Sequence, residues 1–548
     1  MRSRLAATCF LIASVIVSPC LLAAAPIMTV PVPMSDGTKL VTDVYLPQPE
    51  GGPWPVILAR STYGRKGGPV DAILQQGLGV VVQDVRGMGE SEGEKYVFNA
   101  DGWRAGLNDG ADTVAWIRSQ PWSNGKIGTW GGSALGITQM LLAPTTRDVA
   151  AQFIEVAPSN LYEDMFYQGG VFRKCMLEGW LPQIGQPHLL EVYKSHPRFD
   201  HFWWYYDAEV RAPDMTAPAI FVGGWYDIFN QGTLDAFTSR ELYGGPGAKD
   251  NNYLVMKWSA HAEKETPDYK LNENRWTFDV NQFMGAFFAR HLGGQEEPLK
   301  AYAKVNYYVM GADTPGAPGN EWRTADAWPP FATNATQFYL RKNGSLETKV
   351  ITSKKNIALG FAFDPANPVP THGGANLLIP AGPYDQRENV AKRKDVLAFS
   401  SDPLPAPMEI AGRVSVRLFV SSDAPDTDFT AMLMDIYPSG DERNVLMLDG
   451  IRRVKTRLGF DETAPLLNGQ NEVVEITIDL QSISWIFDKG HRIGLNISSS
   501  NFPRFEVNPN TGADFPTEGG EMRTAKNVVH MDKEHPSALI LPVRPVGR

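Results

Sequence analysis

The stretch Lys126-Ile127-Gly128-Thr129-Trp130-Gly131-Gly132-Ser133-Ala134-Leu135-Gly136 decides the fold. A short apolar run passes through small residues into a serine and then into a helical pattern. A strand that turns sharply into a helix exposes its serine, and small flanking residues let the turn close. Gly131, Gly132 and Gly136 meet that need, although the last glycine comes one position later than in Gly-x-Ser-x-Gly. Two later segments have a similar shape. Ala219-Ile220-Phe221-Val222 leads into Asp227, and Tyr253-Leu254-Val255-Met256 leads into His261.

Working outward, Val56-Ile57-Leu58-Ala59 and Gly79-Val80-Val81-Val82 are continuous apolar runs, as in strands buried on both faces. Helical patterns such as Gly110–Ile117 separate them. This alternation predicts a mainly parallel sheet with helices on both faces, with ligands bound beyond the carboxyl ends of its strands. Ser133, Asp227 and His261 all follow strands and so face that edge, in the triad order of an α/β-hydrolase. Residues 27–47 read as a preceding hairpin. Between 156 and 212 the rhythm breaks into an aromatic stretch that includes Phe166, Tyr167, Phe172, Trp180 and Trp203 to Tyr206, read as a helical lid. From about 333, Arg413–Val420, Glu472–Ile478 and His491–Ile497 alternate with period two, which predicts an antiparallel β-sandwich, a jelly roll. The expected fold class is therefore α/β: an α/β-hydrolase core (26–155 and 213–332), a helical cap (156–212) and a C-terminal jelly roll (333–548), with Trp328-Pro329-Pro330 as linker.

The chain has 548 residues, 43% of them hydrophobic and 20% charged, too many for one core and ordinary for a soluble protein. Its net charge of −10 and lack of a basic cluster argue against nucleic acid as a partner. Arg2 and Arg4, the apolar run Leu5–Leu22 and Ala23-Ala24-Ala25 read as a secretory signal peptide over residues 1–25, with a membrane anchor as the competing reading. No other segment is long and apolar enough to span a bilayer, so a periplasmic or secreted location is expected. Of three cysteines, Cys9 and Cys20 fall in the signal, and Cys175 alone would remain. No metal motif occurs and no cofactor is expected; a homo-oligomer is compatible with the sequence.

A serine hydroxyl at neutral pH needs a base to take its proton, an acid to orient that base, and donors for the oxyanion. His188, His196 and His201 precede Asp227 in the chain, whereas His261 follows both Asp227 and a strand of the parallel sheet. The Ala134 N–H, one residue past the nucleophile, is the expected oxyanion donor. A second donor comes from the loop after Val56–Ala59, where Tyr63 offers a hydroxyl or serves only as packing.

These segments resemble the cocaine esterase, glutaryl-cephalosporin acylase and X-Pro dipeptidyl-peptidase (CocE/NonD, S15-type) serine hydrolases. The resemblance rests on Met34–Leu40, Arg60-Ser61-Thr62-Tyr63-Gly64, Val82–Gly87, Asp109–Ile117, Gly223-Gly224-Trp225-Tyr226-Asp227, Ser421–Phe429 and Ser498–Phe505. It implies Ser133 as nucleophile, His261 as base, Asp227 as orienting acid, and the Tyr63 hydroxyl with the Ala134 N–H as the oxyanion pair. Three departures stand out. Ala134 replaces the family's usual tyrosine after the nucleophile, removing a large wall of the pocket. The loop Met256-Lys257-Trp258-Ser259-Ala260-His261 carries one extra residue before its histidine. Ile228-Phe229-Asn230 replaces the acidic residues that hold a substrate ammonium in the α-amino-acid ester hydrolases. The expected pocket comprises Phe166, Trp225, Phe229 and, as a single acidic contact from the cap, Asp164. The expected activity is hydrolysis of small-molecule esters, or amides, with a bulky apolar acyl group. An acylase or X-Pro-type aminopeptidase, and a non-catalytic secreted binding protein on the same fold, are the competing readings.

Overall fold

Alternate residues along the strand Trp54–Ser61 supply two different cores, and this sets the layering of the N-terminal half. The computed structural model describes residues 24–545 except 49, 67, 263–265, 389, 391, 470 and 471. All but the last two residues of the expected signal segment lie outside the described residues.

The first sheet contains β1 (Met28–Pro33), β2 (Lys39–Tyr45), β3 (Trp54–Ser61), β4 (Gly79–Asp84), β5 (Ser123–Gly132) and β6 (Val149–Glu155). A two-residue hairpin, β7 (Tyr167–Gln168) and β8 (Val171–Phe172), stands apart in the cap. The sheet resumes with β9 (Ala219–Tyr226), β10 (Tyr253–Ala260), β11 (Val305–Gly311) and β12 (Glu321–Ala325). Hydrogen bonding orders it β1-β2-β4-β3-β5-β6-β9-β10-β11-β12. Every pairing from β4 to β11 is parallel, and antiparallel strands close both edges. β9 is buried along its whole length, as a strand covered on both faces must be.

Helices α1 (Val70–Gln75), α2 (Asp109–Ser119) and α3 (Ala134–Leu142) follow the early strands. Ile57 and Ala59 pack with Ile73 of α1, whereas Val56 and Leu58 pack with Val114 and Ile117 of α2 and Leu142 of α3. The cap holds α4 (Lys174–Gln183), α5 (Leu189–Lys194) and α6 (His201–Trp204), opened by a π-helical turn over Tyr162–Phe166. It is thus more irregular than a purely helical lid, and aromatic stacking holds it: Tyr162 lies 5.1 Å from Tyr167 and Phe166 lies 4.2 Å from Tyr193, ring centre to ring centre. Two long helices complete the core, α7 (Asn230–Tyr243) and α8 (Val280–His291), the latter covering the α1 face through Phe283, Phe287 and Phe288.

The C-terminal half is a β-sandwich. One sheet pairs Leu397–Ser400, Arg492–Ser498, Asp428–Ile436 and Asn444–Arg453, all antiparallel. The other is built around the long strand Met408–Ser422, which pairs with Val474–Phe487, Ala525–His530 and Ala538–Val543. It meets the core sheet edge to edge where Met310 and Gly311 of β11 pair with Trp485 and Ile486. Among the described residues no helix is long and apolar enough to cross a membrane.

Candidate active site

Ser133 stands between β5 and α3 with φ 54° and ψ −124°, a backbone region that side-chain-bearing residues seldom occupy. The turn is pinned from both sides: Ser133 N–H donates to the Glu155 carbonyl at 2.9 Å, and the Gly136 and Ile137 N–H groups donate to the Ser133 carbonyl. Its glycines are steric requirements. A Cβ on Gly136 would lie 2.5 Å from the Ala157 Cβ, and one on Gly131 would lie 2.5 Å from the Leu135 Cβ. Ala134 is the first residue of α3, so its N–H has no acceptor within the helix. Its methyl is buried and packed in the core, so neighbouring groups occupy the space around it.

His261 links the three strand ends. Its Nε2 lies 2.9 Å from Ser133 Oγ and its Nδ1 lies 2.6 Å from Asp227 Oδ2. With the ring proton on Nδ1, that nitrogen donates to the carboxylate and Nε2 accepts from the serine hydroxyl. Asp227 is fully buried; its second oxygen accepts the Phe229 N–H at 2.7 Å, which fixes the carboxylate plane. Phe229 also sets its ring edge-on to the imidazole at 5.6 Å.

The strand that leads to His261 carries a bulge. Lys257 pairs with Gly224 and Ala260 pairs with Tyr226, so three steps along β10 match two along β9. The bulge drives the Ser259 carbonyl towards Gly224, where any Cβ would overlap it. Gly224 is therefore a position at which this strand pairing admits no side chain.

Tyr63 lies on the loop after β3, half exposed, and its hydroxyl oxygen accepts the indole N–H of Trp180 at 3.0 Å. Tyr63, Leu135 and Trp130 border a cavity of about 150 Å³ floored by the apolar residues Ile57, Val80 and Val82.

The pocket residues expected from the sequence divide. Phe229 touches His261, as described. Phe166 packs against Tyr193 and Trp203 inside the cap. Trp225 is buried against Trp328 and donates its N–H to the Tyr308 carbonyl at 2.6 Å. Asp164 borders a separate polar cavity of about 570 Å³ between the cap, α7 and the sandwich, with Glu163, Glu209, Asp235, Arg413 and Asp479. Burial pushes its carboxyl well above the usual range, and the neighbouring Asp235 adds to the effect.

Two residues here had no assigned role in the sequence reading. Trp180 was only one of the lid aromatics. Arg173, at the N-terminus of α4, is fully buried and donates through Nη1 to the carbonyls of Asp164 and of Ile228, the residue next to Asp227. Burial, reinforced by the nearby Arg504, lowers its guanidinium to about 9. No local spacing marks either residue, because Tyr63 and Ile228 lie far from them in the chain.

Comparison with known proteins bears on this geometry. Residues 36–187 match the X-Pro dipeptidyl-peptidase (S15 family), and residues 298–540 match the X-Pro dipeptidyl-peptidase C-terminal non-catalytic domain. The chain is 33% identical to the cocaine esterase of Rhodococcus sp. (strain MB1 Bresler), over 93% of its own length and 97% of that protein. Among solved structures, an α-amino acid ester hydrolase superposes with a TM-score of 0.78 at 23% identity, covering 98% of this chain and all of the other (100%). An aminopeptidase from the marine sediment archaeon Thaumarchaeota archaeon gives 0.78 at 22% identity, covering 94% of this chain and 96% of the other. At such identities the two structures establish a shared fold.

Proposed function

The chain belongs to the CocE/NonD-like serine hydrolases, enzymes that hydrolyse esters or amides, and from that premise we propose that it cleaves carboxylic esters of small molecules through an acyl-enzyme on Ser133. The observation that carries this reading is the unbroken hydrogen-bond chain from Asp227 through His261 to Ser133, at 2.6 and 2.9 Å.

In this mechanism Ser133 Oγ attacks the ester carbonyl carbon while its proton passes to His261 Nε2. Buried Asp227 holds the proton on Nδ1 and stabilises the imidazolium. The Ala134 N–H and the Tyr63 O–H take the charge that develops on the carbonyl oxygen. Collapse of the tetrahedral intermediate breaks the bond to the leaving oxygen, which departs as the alcohol with the proton from Nε2. Water, deprotonated by the same nitrogen, then attacks the acyl-enzyme, releases the carboxylic acid and restores Ser133.

The 33% identity to an esterase over nearly the whole chain supports an ester substrate. The uncharged Ile228-Phe229-Asn230 after Asp227 favours a substrate without a free ammonium near the scissile bond. The positively charged, then apolar, N-terminal segment supports export. The domain assignment follows the same reading: a hydrolase core, a cap over 156–212, and a C-terminal jelly roll that buttresses the Asp227 loop through Tyr226 Oη to the Leu446 carbonyl at 2.8 Å.

A panel of matched nitrophenyl esters and anilides, run on wild type and Ser133→Ala with fluorophosphonate labelling, tests the proposal. Ester turnover and labelling that vanish in Ser133→Ala are expected. Labelling of the variant equal to wild type overturns the assignment of Ser133, and anilides cleaved faster than esters overturn the ester preference.

A further inference from the structure

The contact between Trp180 and Tyr63 does more than attach the cap. An indole nitrogen has one hydrogen and no acceptor capacity, so in this pair the direction is fixed: Trp180 donates and Tyr63 Oη accepts, at 3.0 Å. The phenolic proton of Tyr63 is then left to point elsewhere. Accepting a hydrogen bond also polarises the hydroxyl and makes it a better donor. Tyr63 itself is half exposed, on the loop that follows β3.

Trp180 is held firmly. Its side chain is buried in the central core cluster and stacks on Phe98 with ring centres 6.0 Å apart and planes 16° from parallel. The helix that carries it, α4, is tied down at its start. Arg173 reaches the carbonyls of Asp164 and Ile228, the Cys175 N–H donates to the Pro503 carbonyl at 3.1 Å, and Lys174 Nζ bonds Glu506 at 3.0 Å. One end of α4 thus grips the loop of Asp227, and seven residues on, Trp180 grips the hydroxyl of Tyr63. The cap helix thus links the loop of Asp227 to the loop of Tyr63.

We propose that Trp180 is a positioning residue for catalysis: its indole N–H orients the Tyr63 hydroxyl so that the phenolic proton faces the developing oxyanion beside Ser133. This rests on the oxyanion role given to Tyr63 above. Binding of the ground-state ester needs the contact little, whereas the transition state needs it fully, so its loss falls on kcat rather than KM.

The test is a double-mutant cycle on the full-length mature enzyme with a 4-nitrophenyl ester. Trp180→Phe keeps the ring stack and deletes the N–H. The expected result is a kcat about tenfold lower with KM within about twofold, and no further loss when Trp180→Phe is added to Tyr63→Phe. Trp180→His, which retains a ring N–H, is expected to recover part of the loss and guards against a packing artefact. The inference is overturned if Trp180→Phe leaves kcat unchanged, or lowers it equally in the wild-type and Tyr63→Phe backgrounds. Should Tyr63→Phe alone leave kcat unchanged, the oxyanion role of Tyr63 fails, and this inference with it; an impaired Tyr63→Phe beside an unaffected Trp180→Phe sinks the inference alone.

Discussion

Gly224 and Ser259 face each other across the β9–β10 pairing so closely that a methyl group on Gly224 would overlap the Ser259 carbonyl oxygen. The bulge that creates this approach also carries His261 to Ser133. Gly224→Ala must therefore displace backbone. Its expected cost is about 1–3 kcal/mol of stability, with a fall in kcat because the histidine loop shifts with the bulge. Thermal unfolding and steady-state ester turnover check both, and a variant with wild-type kcat would show that the bulge can relax without moving His261.

Replacing Asp227 by Asn keeps the side-chain shape and the acceptor for Phe229 N–H, now 2.7 Å away, but removes the charge that orients His261. The imidazole then loses its preference for the proton on Nδ1. The expected outcome is a loss in kcat on the order of 10⁴-fold with fold and substrate binding retained. Turnover kinetics and circular dichroism of the purified variant measure it.

Arg173→Met leaves the Ile228 and Asp164 carbonyls without their charged donor in a buried place. About 1–3 kcal/mol of stability should be lost, offset in part because burying this guanidinium is itself costly. Urea unfolding at neutral pH reads the loss, and an unchanged midpoint would remove Arg173 from the account of how α4 is anchored.

Asp207 carries a pH signature. Burial raises its carboxyl to about 6, so the folded chain holds this proton more tightly than the unfolded chain does. Its contribution to stability is present below pH 4 and is lost as pH rises through about 6. Asp207→Asn keeps an acceptor for the Glu209 N–H, 3.0 Å away, and cannot ionise. Relative to wild type, the variant should gain about 1–3 kcal/mol between pH 4 and pH 8. Unfolding midpoints of both proteins across that range provide the comparison, and parallel curves would contradict the assignment.

Much of the core was legible because its signals are local. Continuous apolar runs at 56–59, 79–82 and 219–222 became strands buried on both faces, and small residues on either side of Ser133 became a turn that admits no Cβ at Gly131 or Gly136. The pocket was less legible. Phe166 and Trp225 are aromatic and near the site in sequence, but each finds a better-packed home, against Tyr193 and Trp203 or against Trp328. Composition shows that a stretch is aromatic without showing which way a ring turns.

The sequence by itself determined the α/β layering, the helical-cap interruption, the sandwich that follows, and the chain order that sets Ser133, Asp227 and His261 at one sheet edge. Each depends on periodicity or on a turn that neighbouring residues dictate. Tertiary structure alone decided that β10 shifts its register against β9 between Lys257 and Ala260, beside a Gly224 that admits no Cβ. It alone decided that Trp180 would meet Tyr63, 117 positions away in the chain, and that Arg173 would close on Ile228. Such pairings form because buried donors must find acceptors wherever the packed chain presents them, a requirement that no local spacing records.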